Sequence, residues 1–278
     1  MLCIKICGMF LEISKAIILG VIEGITEFLP ISSTGHLILV NNWLRFSPSF
    51  TVLFDVVIQL GAIMAVVLVF WRKLWPFGKD PVRYMATRIL WYKIIIAVLP
   101  ALVLGALFGG MIEEKLFNPI IVAVALMVGG FVLIFFEKKD KNVSELSDIN
   151  IVSYRNAFLI GVFQCLAMVP GTSRSAVTII SAMLLGVGRV AAVEFSFFLA
   201  IPTMVAASGY SLLQHGFSMN QTELAVLIVG FVTAFLSALV GVTYFVRYIQ
   251  THNFKSFGYY RLVLGAVVLT LFFFSIIN

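Results

Sequence analysis

The sequence predicts an all-α polytopic membrane protein, with about six transmembrane helices plus two re-entrant helical hairpins in an inverted-topology repeat. Three observations carry that prediction. First, 61% of the 278 residues are hydrophobic and 12% are charged, with a mean hydropathy of +1.08. Soluble domains average about 45–50% apolar and about 25% charged residues, so a soluble enzyme and a disordered chain are both excluded. Second, a span needs roughly 20 apolar residues, and apolar segments recur at 10–40, 51–71, 89–110, 117–136, 157–186, 190–214, 224–247 and 258–276. Third, the first and fifth of these are interrupted midway by Pro30 and Pro170, each followed within two residues by Ser, Thr or Gly.

The six uninterrupted segments read as ordinary spans. Proline removes a helical hydrogen bond and pushes the preceding residue out of helical geometry, and non-helical backbone at membrane depth survives only inside protein or beside a cavity. The two interrupted segments are therefore predicted to be re-entrant hairpins. They also resemble each other. Gly20-Val21-Ile22 leads to Pro30-Ile31-Ser32-Ser33, and Gly161-Val162-Phe163 leads to Pro170-Gly171-Thr172-Ser173. Phe54 then lies 24 residues after Pro30, and Phe195 lies 25 after Pro170. The chain divides accordingly into a first repeat, 10–136 (hairpin 10–40 plus three spans), and a second, 157–276 (hairpin 157–186 plus three spans), within one integral membrane domain, 1–278. An odd number of crossings per half inverts the second half relative to the first, a design common among transporters.

Charge supports the same topology. The formal net charge is +6. If neither hairpin crosses, one face collects 14 of the 19 Lys and Arg: Arg72, Lys73, Lys79, Arg83, Arg88, Lys93, Lys138, Lys139, Lys141, Arg155, Arg189, Arg247, Lys255 and Arg261. The other face holds Lys5, Lys15, Arg45 and Lys115, with Arg174 inside a hairpin. The positive-inside rule makes the richer face cytoplasmic and turns both termini outward. These loop charges face anionic lipid; with no basic stretch interleaved with exposed aromatics, nucleic acid is not an expected partner. Cys3, Cys7 and Cys165 form neither a disulfide framework nor a metal spacing. Lys5, Glu12 and Lys15 interrupt the N-terminal apolar stretch, so a cleaved signal peptide is not expected.

Charges inside apolar segments are costly and mark function. Glu23 and Glu27 are four apart, so a helix puts both carboxylates on one face, suited to a hard divalent cation (Mg2+ or Ca2+) or to a shared proton. Beyond Pro30, Ser32 or Ser33 can cap a new helix, with His36 three residues past Ser33 on the same face, and a hydroxyl beside an imidazole is the smallest activated nucleophile. Arg174, beside Thr172, Ser173 and Ser175 at the start of the second post-proline helix, makes a phosphate site with backbone amides, to which Ser32 and Thr34 add hydroxyls from the first. Asp55, Gln59 and Glu194 are further intramembrane polar groups, divided between helix packing and a site role.

The run Glu23 to His36, the run Pro170 to Ser175, Glu194-Phe195-Ser196-Phe197 with Ile201-Pro202, Arg189-Val190-Ala191-Ala192 and Gln59-Leu60-Gly61 resemble the undecaprenyl-diphosphate phosphatase, or bacitracin-resistance, family over essentially the whole chain. The resemblance implies a multi-pass enzyme of the bacterial inner (plasma) membrane, often a homodimer. It would hydrolyse the polyprenyl lipid undecaprenyl diphosphate to undecaprenyl phosphate and inorganic phosphate, recycling the carrier for peptidoglycan and conferring bacitracin resistance. Carried onto this chain, it implies Ser33 as nucleophile, His36 as its proton-transfer partner and Arg174 as phosphate holder. Glu23 and Glu27 would bind a divalent cation or support proton transfer, and the active site would open to the periplasmic, outer side. The type-2 phosphatidic-acid phosphatases are excluded, because their mechanism needs a histidine where Ile179 stands. A polyprenyl-phosphate transporter or flippase remains the rival reading, although a serine–histidine pair beside two glutamates exceeds what binding requires.

Overall fold

The computed structural model describes residues 2–44, 46–77, 80–136, 149, 152–215 and 219–277. Among them the regular elements are all helical: α1 (Leu2–Thr26), α2 (Ser33–Leu44), α3 (Pro48–Val69), α4 (Trp71–Leu74), α5 (Pro81–Leu116), α6 (Pro119–Phe136), α7 (Tyr154–Gln164), α8 (Arg174–Leu184), α9 (Arg189–His215), α10 (Gln221–Thr251) and α11 (Lys255–Phe273). A 3-10 turn, Cys165–Met168, continues α7. Six helices, α3, α5, α6, α9, α10 and α11, are long and apolar enough to cross a membrane. They coincide with the six uninterrupted segments of the sequence.

The two interrupted segments are each a helix, a break and a second helix. The breaks span 27–32 between α1 and α2 and 169–173 between the 3-10 turn and α8. Each ends on a serine that caps the helix after it. Ser32 Oγ accepts from the Gly35 amide at 3.2 Å and Ser173 Oγ from the Ala176 amide at 3.3 Å. Both serines sit at left-handed φ, 72° and 68°. Non-glycine residues held there cost of order 1–3 kcal/mol and persist only where the surroundings fix them, typically at functional sites.

The caps also give a common reference point for the spacings in the two segments. Pro30 precedes its cap by two residues and Pro170 by three. Counted from the caps, Phe54 and Phe195 each lie 22 residues on, and Gly20 and Gly161 each 12 before. Counting from the prolines left one residue over.

Packing places the breaks together. α1 lies along α10 through Gly20 and Gly24, where a Cβ would run into the α10 backbone, so close approach is what those glycines provide. α3 packs on the same helix, α6 on α11, and α5 on α7. α9 is the most buried of the six spans, with Phe195, Phe197 and Phe198 wholly enclosed. Phe28 of the first break packs edge-on against Phe197 at 5.2 Å, seating that break on α9.

Two members of the basic face are not loop charges. Lys93 is buried in α5, and Arg261, on α11, is fully buried. An isolated Lys or Arg near a span end is indistinguishable in sequence from an interfacial one, since burial depends on which helices close over it. Arg45, Lys79, Lys138, Lys139 and Lys141 lie outside the described residues.

Candidate active site

The two breaks meet at a polar cavity of about 200 Å3, lined by Glu27, Ser32, Ser33 and Thr34 from the first, Val169, Pro170, Gly171, Ser173 and Arg174 from the second, and Gln59 and Thr203 from α3 and α9. Helices α2 and α8 both start at this cavity. A helix N-terminus presents unpaired amides and the positive end of its dipole, which favours an anion, and here two of them face one space.

Three side chains form a continuous chain at its edge. Ser33 Oγ donates to Glu27 Oε2 at 2.5 Å. Arg174 Nη2 donates to Glu27 Oε1 at 2.9 Å, and its Nη1 to the Ser196 carbonyl at 3.0 Å. Both ends of the Glu27–Arg174 pair are largely shielded, with side chains 10% and 12% exposed, so water screens the pair weakly. The arrangement orients the Ser33 hydroxyl toward a carboxylate that can take its proton and keeps a guanidinium at the cavity wall.

His36 stands elsewhere. Its Nδ1 lies 2.7 Å from the Ser32 carbonyl and its Nε2 2.7 Å from the Tyr260 hydroxyl, with the two rings stacked at 5.6 Å. A carbonyl only accepts, so Nδ1 carries the proton, and Nε2 of the neutral ring accepts from Tyr260. Among the described hydrogen bonds, Ser33 pairs with Glu27 and not with His36. Ser33 is the first residue of α2 and its side chain reaches back to the end of α1, which the three-residue spacing to His36 does not reveal. Tyr260, on α11, was missed in the sequence because a tyrosine near a span end reads as an interfacial anchor.

The remaining hydroxyls divide. Ser32, Ser33, Thr34 and Ser173 line the cavity. Thr172 Oγ1 is turned into its own loop, donating to the Val169 carbonyl at 2.7 Å. Ser175 is fully buried and donates to the Leu29 carbonyl at 2.9 Å, tying the second break to the first. Gln59 lines the cavity, whereas Asp55 accepts from Asn41 at 2.9 Å and Glu194 pairs with Lys73 at 2.7 and 2.8 Å.

The comparisons with known proteins meet this geometry from a separate direction. Residues 16–267 match the family described as Bacitracin resistance protein BacA. The chain belongs to that family. It is 51% identical over 267 residues to undecaprenyl-diphosphatase 1 of Clostridioides difficile (strain 630), covering 95% of this chain and 97% of the relative. It is 45% identical over 267 residues to the undecaprenyl-diphosphatase of Enterococcus faecalis, covering 94% and 97%.

The cation expected at Glu23 and Glu27 can be tested on this BacA-family site. Glu23 is fully buried, one turn before Glu27, and neither of its carboxylate oxygens has a hydrogen-bond partner. A buried carboxylate without a partner is costly, and a cation or a proton is what would compensate it. Among the described residues no three His, Cys, Asp or Glu side chains lie close enough to hold an ion by themselves. The fit to a cation therefore rests on the unpartnered Glu23 carboxylate, one turn from Glu27, whose own oxygens accept from Ser33 and Arg174.

Proposed function

We propose that the chain hydrolyses undecaprenyl diphosphate to undecaprenyl phosphate and inorganic phosphate, recycling the lipid carrier for peptidoglycan synthesis and conferring bacitracin resistance. The observation that carries this reading is the Ser33–Glu27–Arg174 chain at a cavity faced by two helix N-termini. Phosphoryl transfer depends chiefly on positioning and charge stabilisation, and those are the resources this cavity contains. The curated relatives' names agree with it.

In this mechanism the diphosphate head enters the cavity while the polyprenyl tail stays in lipid. Ser33 Oγ bonds to the terminal phosphorus as the bridging P–O bond to undecaprenyl phosphate breaks, and the hydroxyl proton passes to Glu27 Oε2. Water then attacks the phosphoserine. The Oγ–P bond breaks, Ser33 recovers its proton from Glu27, and the water's proton leaves with phosphate. Arg174, the α2 and α8 amides, and the hydroxyls of Ser32, Thr34 and Ser173 stabilise the phosphoryl oxygens. Glu23 and Glu27 would hold a divalent cation, which when bound supplies further neutralisation of the diphosphate. His36 acts on the site through the Ser32 carbonyl that it holds, and Tyr260 fixes its ring.

Purified, detergent-solubilised protein given undecaprenyl diphosphate is expected to release phosphate, and to lose that activity on exhaustive chelation. No release above a heat-killed control, with lipid translocation in vesicles, would replace this reading by the transporter. Activity that survives chelation would leave Glu23 and Glu27 with proton transfer alone.

The location proposed is the bacterial inner (plasma) membrane, with the basic face cytoplasmic, both termini and the cavity mouth on the periplasmic side, and the two repeats inverted as homologous halves of a homodimerising chain. The equal spacing counted from Ser32 and Ser173 supports the repeat. Thiol labelling of single cysteines placed in the 72–88 and 247–261 connections of intact cells tests the orientation; labelling by an impermeant reagent would reverse it.

A further inference from the structure

Arg261 is fully buried, and among the described residues it pairs with no carboxylate. Its guanidinium is used entirely on main-chain carbonyls. Nε donates to Leu126 at 3.2 Å, Nη1 to Pro30 at 3.3 Å, and Nη2 to Ala125, Gly171 and Thr172 at 3.1, 3.0 and 3.0 Å. Those acceptors belong to three separate pieces of chain: α6, the first break and the second break. Breaking a helix leaves carbonyls without their usual amide partners, and burying them so is costly. One side chain supplies donors to both breaks at once.

The two loop contacts are equivalent. Pro30 lies two residues before the cap Ser32, and Gly171 two residues before the cap Ser173. Ser33 and Arg174 follow the same carbonyls by three residues each. The guanidinium is planar and its N–H directions are fixed, so its simultaneous contacts determine how far apart the two loops stand. α6 leaves room for it at Gly129, where a Cβ would overlap the guanidinium, and at Gly171, with φ 90°, a Cβ would overlap the Val122 carbonyl on the same helix. An apolar side chain here would leave these buried carbonyls without donors, which is costly, and it could not fix this separation.

We propose that Arg261 is a positioning residue for the reaction, holding the two broken segments at the separation at which Ser33 and Arg174 flank one cavity. The inference rests on the function proposed above and extends it to a residue outside the cavity, on a different helix. Because it acts through loop geometry, its effect belongs in turnover. Misplacement of reacting groups by about 1 Å costs on the order of 100-fold.

The test uses the full chain purified in detergent, with three variants. Arg261→Lys keeps the charge but offers one compact donor that cannot span acceptors on three segments. Arg261→Ala removes the tie, and Gly129→Ala leaves Arg261 present but displaces its guanidinium. The expected result is a kcat lower by roughly 100-fold in Arg261→Lys, lower still in Arg261→Ala and intermediate in Gly129→Ala, with KM nearly unchanged. Hydrogen exchange is expected to accelerate at residues 27–33 and 169–174 together, while α9 and α10 stay protected. Wild-type kcat in Arg261→Lys, a loss carried by KM, or exchange rising throughout the helices would each overturn the proposal, the last by making Arg261 a residue of the fold. A wild-type protein that releases no phosphate would instead remove the functional reading, and the exchange pattern would still judge the tie between the loops.

Discussion

Glu27→Gln changes the site by one charge and almost no volume, so its effect reports on the Ser33–Glu27–Arg174 chain directly. The carboxylate accepts Ser33 Oγ at 2.5 Å and Arg174 Nη2 at 2.9 Å. The amide can still accept one of these bonds, but it cannot take the serine proton and no longer balances Arg174. Loss of a positioned general base costs about 10²–10⁴-fold, or roughly 2.7–5.4 kcal/mol of barrier at about 1.36 kcal/mol per tenfold. Ser33→Ala removes the proposed nucleophile and is expected to fall in the same range. If Glu27 acts through Ser33, the double variant is no slower than the slower single variant, since groups that work as a unit are not additive. Independent action would multiply the two losses, to about 10⁴-fold at the least. The assay is phosphate release from undecaprenyl diphosphate under single-turnover conditions, with acid quenching to trap phosphoserine. Near-normal turnover in Glu27→Gln, or multiplicative losses in the double variant, would refute the reasoning. Near-normal turnover in Ser33→Ala would transfer the attack to water.

Arg174→Ala leaves Glu27 without its cation and removes the guanidinium from the cavity wall. Turnover is expected to drop at least tenfold, about 1.4 kcal/mol, with Arg174→Lys recovering only part because a point charge does not reproduce the contacts to both Glu27 and the Ser196 carbonyl. His36→Ala is expected to cost at least about tenfold in turnover, and Tyr260→Phe less, since it removes only the hydroxyl that holds Nε2; equal losses would place Tyr260 in the chemistry instead. Gly171→Ala forces a left-handed φ on alanine and directs a methyl at the Val122 carbonyl. A destabilisation of about 1–3 kcal/mol is expected in thermal unfolding of the detergent-solubilised protein, and an unchanged midpoint would contradict the loop geometry.

Much of this site is visible in the sequence. Pro30 and Pro170 act locally on their own backbones, so the positions of both breaks follow from residue type. The six spans follow from hydropathy for the same reason, each being a run long enough to satisfy its own hydrogen bonds in lipid. Glu27, Ser33 and Arg174 stand out because ionisable and hydroxyl groups are scarce in such segments. The partner choice was less legible. Spacing pairs Ser33 with His36, yet the side chain of a first helical residue turns back over the preceding break, where Glu27 waits. The spacing to Phe54 and Phe195 differs by one residue when counted from the prolines and is equal when counted from the left-handed caps, which only the backbone reveals.

The sequence by itself therefore determines the class of molecule, the places where its helices break and the chemical groups placed there, because each depends on composition or on backbone restrictions within a few residues. Only the tertiary structure decides that the two breaks share a cavity, that Glu27 joins Ser33 to Arg174 across 147 positions of chain, and that Arg261 belongs to the interior. These are contacts between distant segments, and a guanidinium written near a span end carries no mark of the five carbonyls that will surround it.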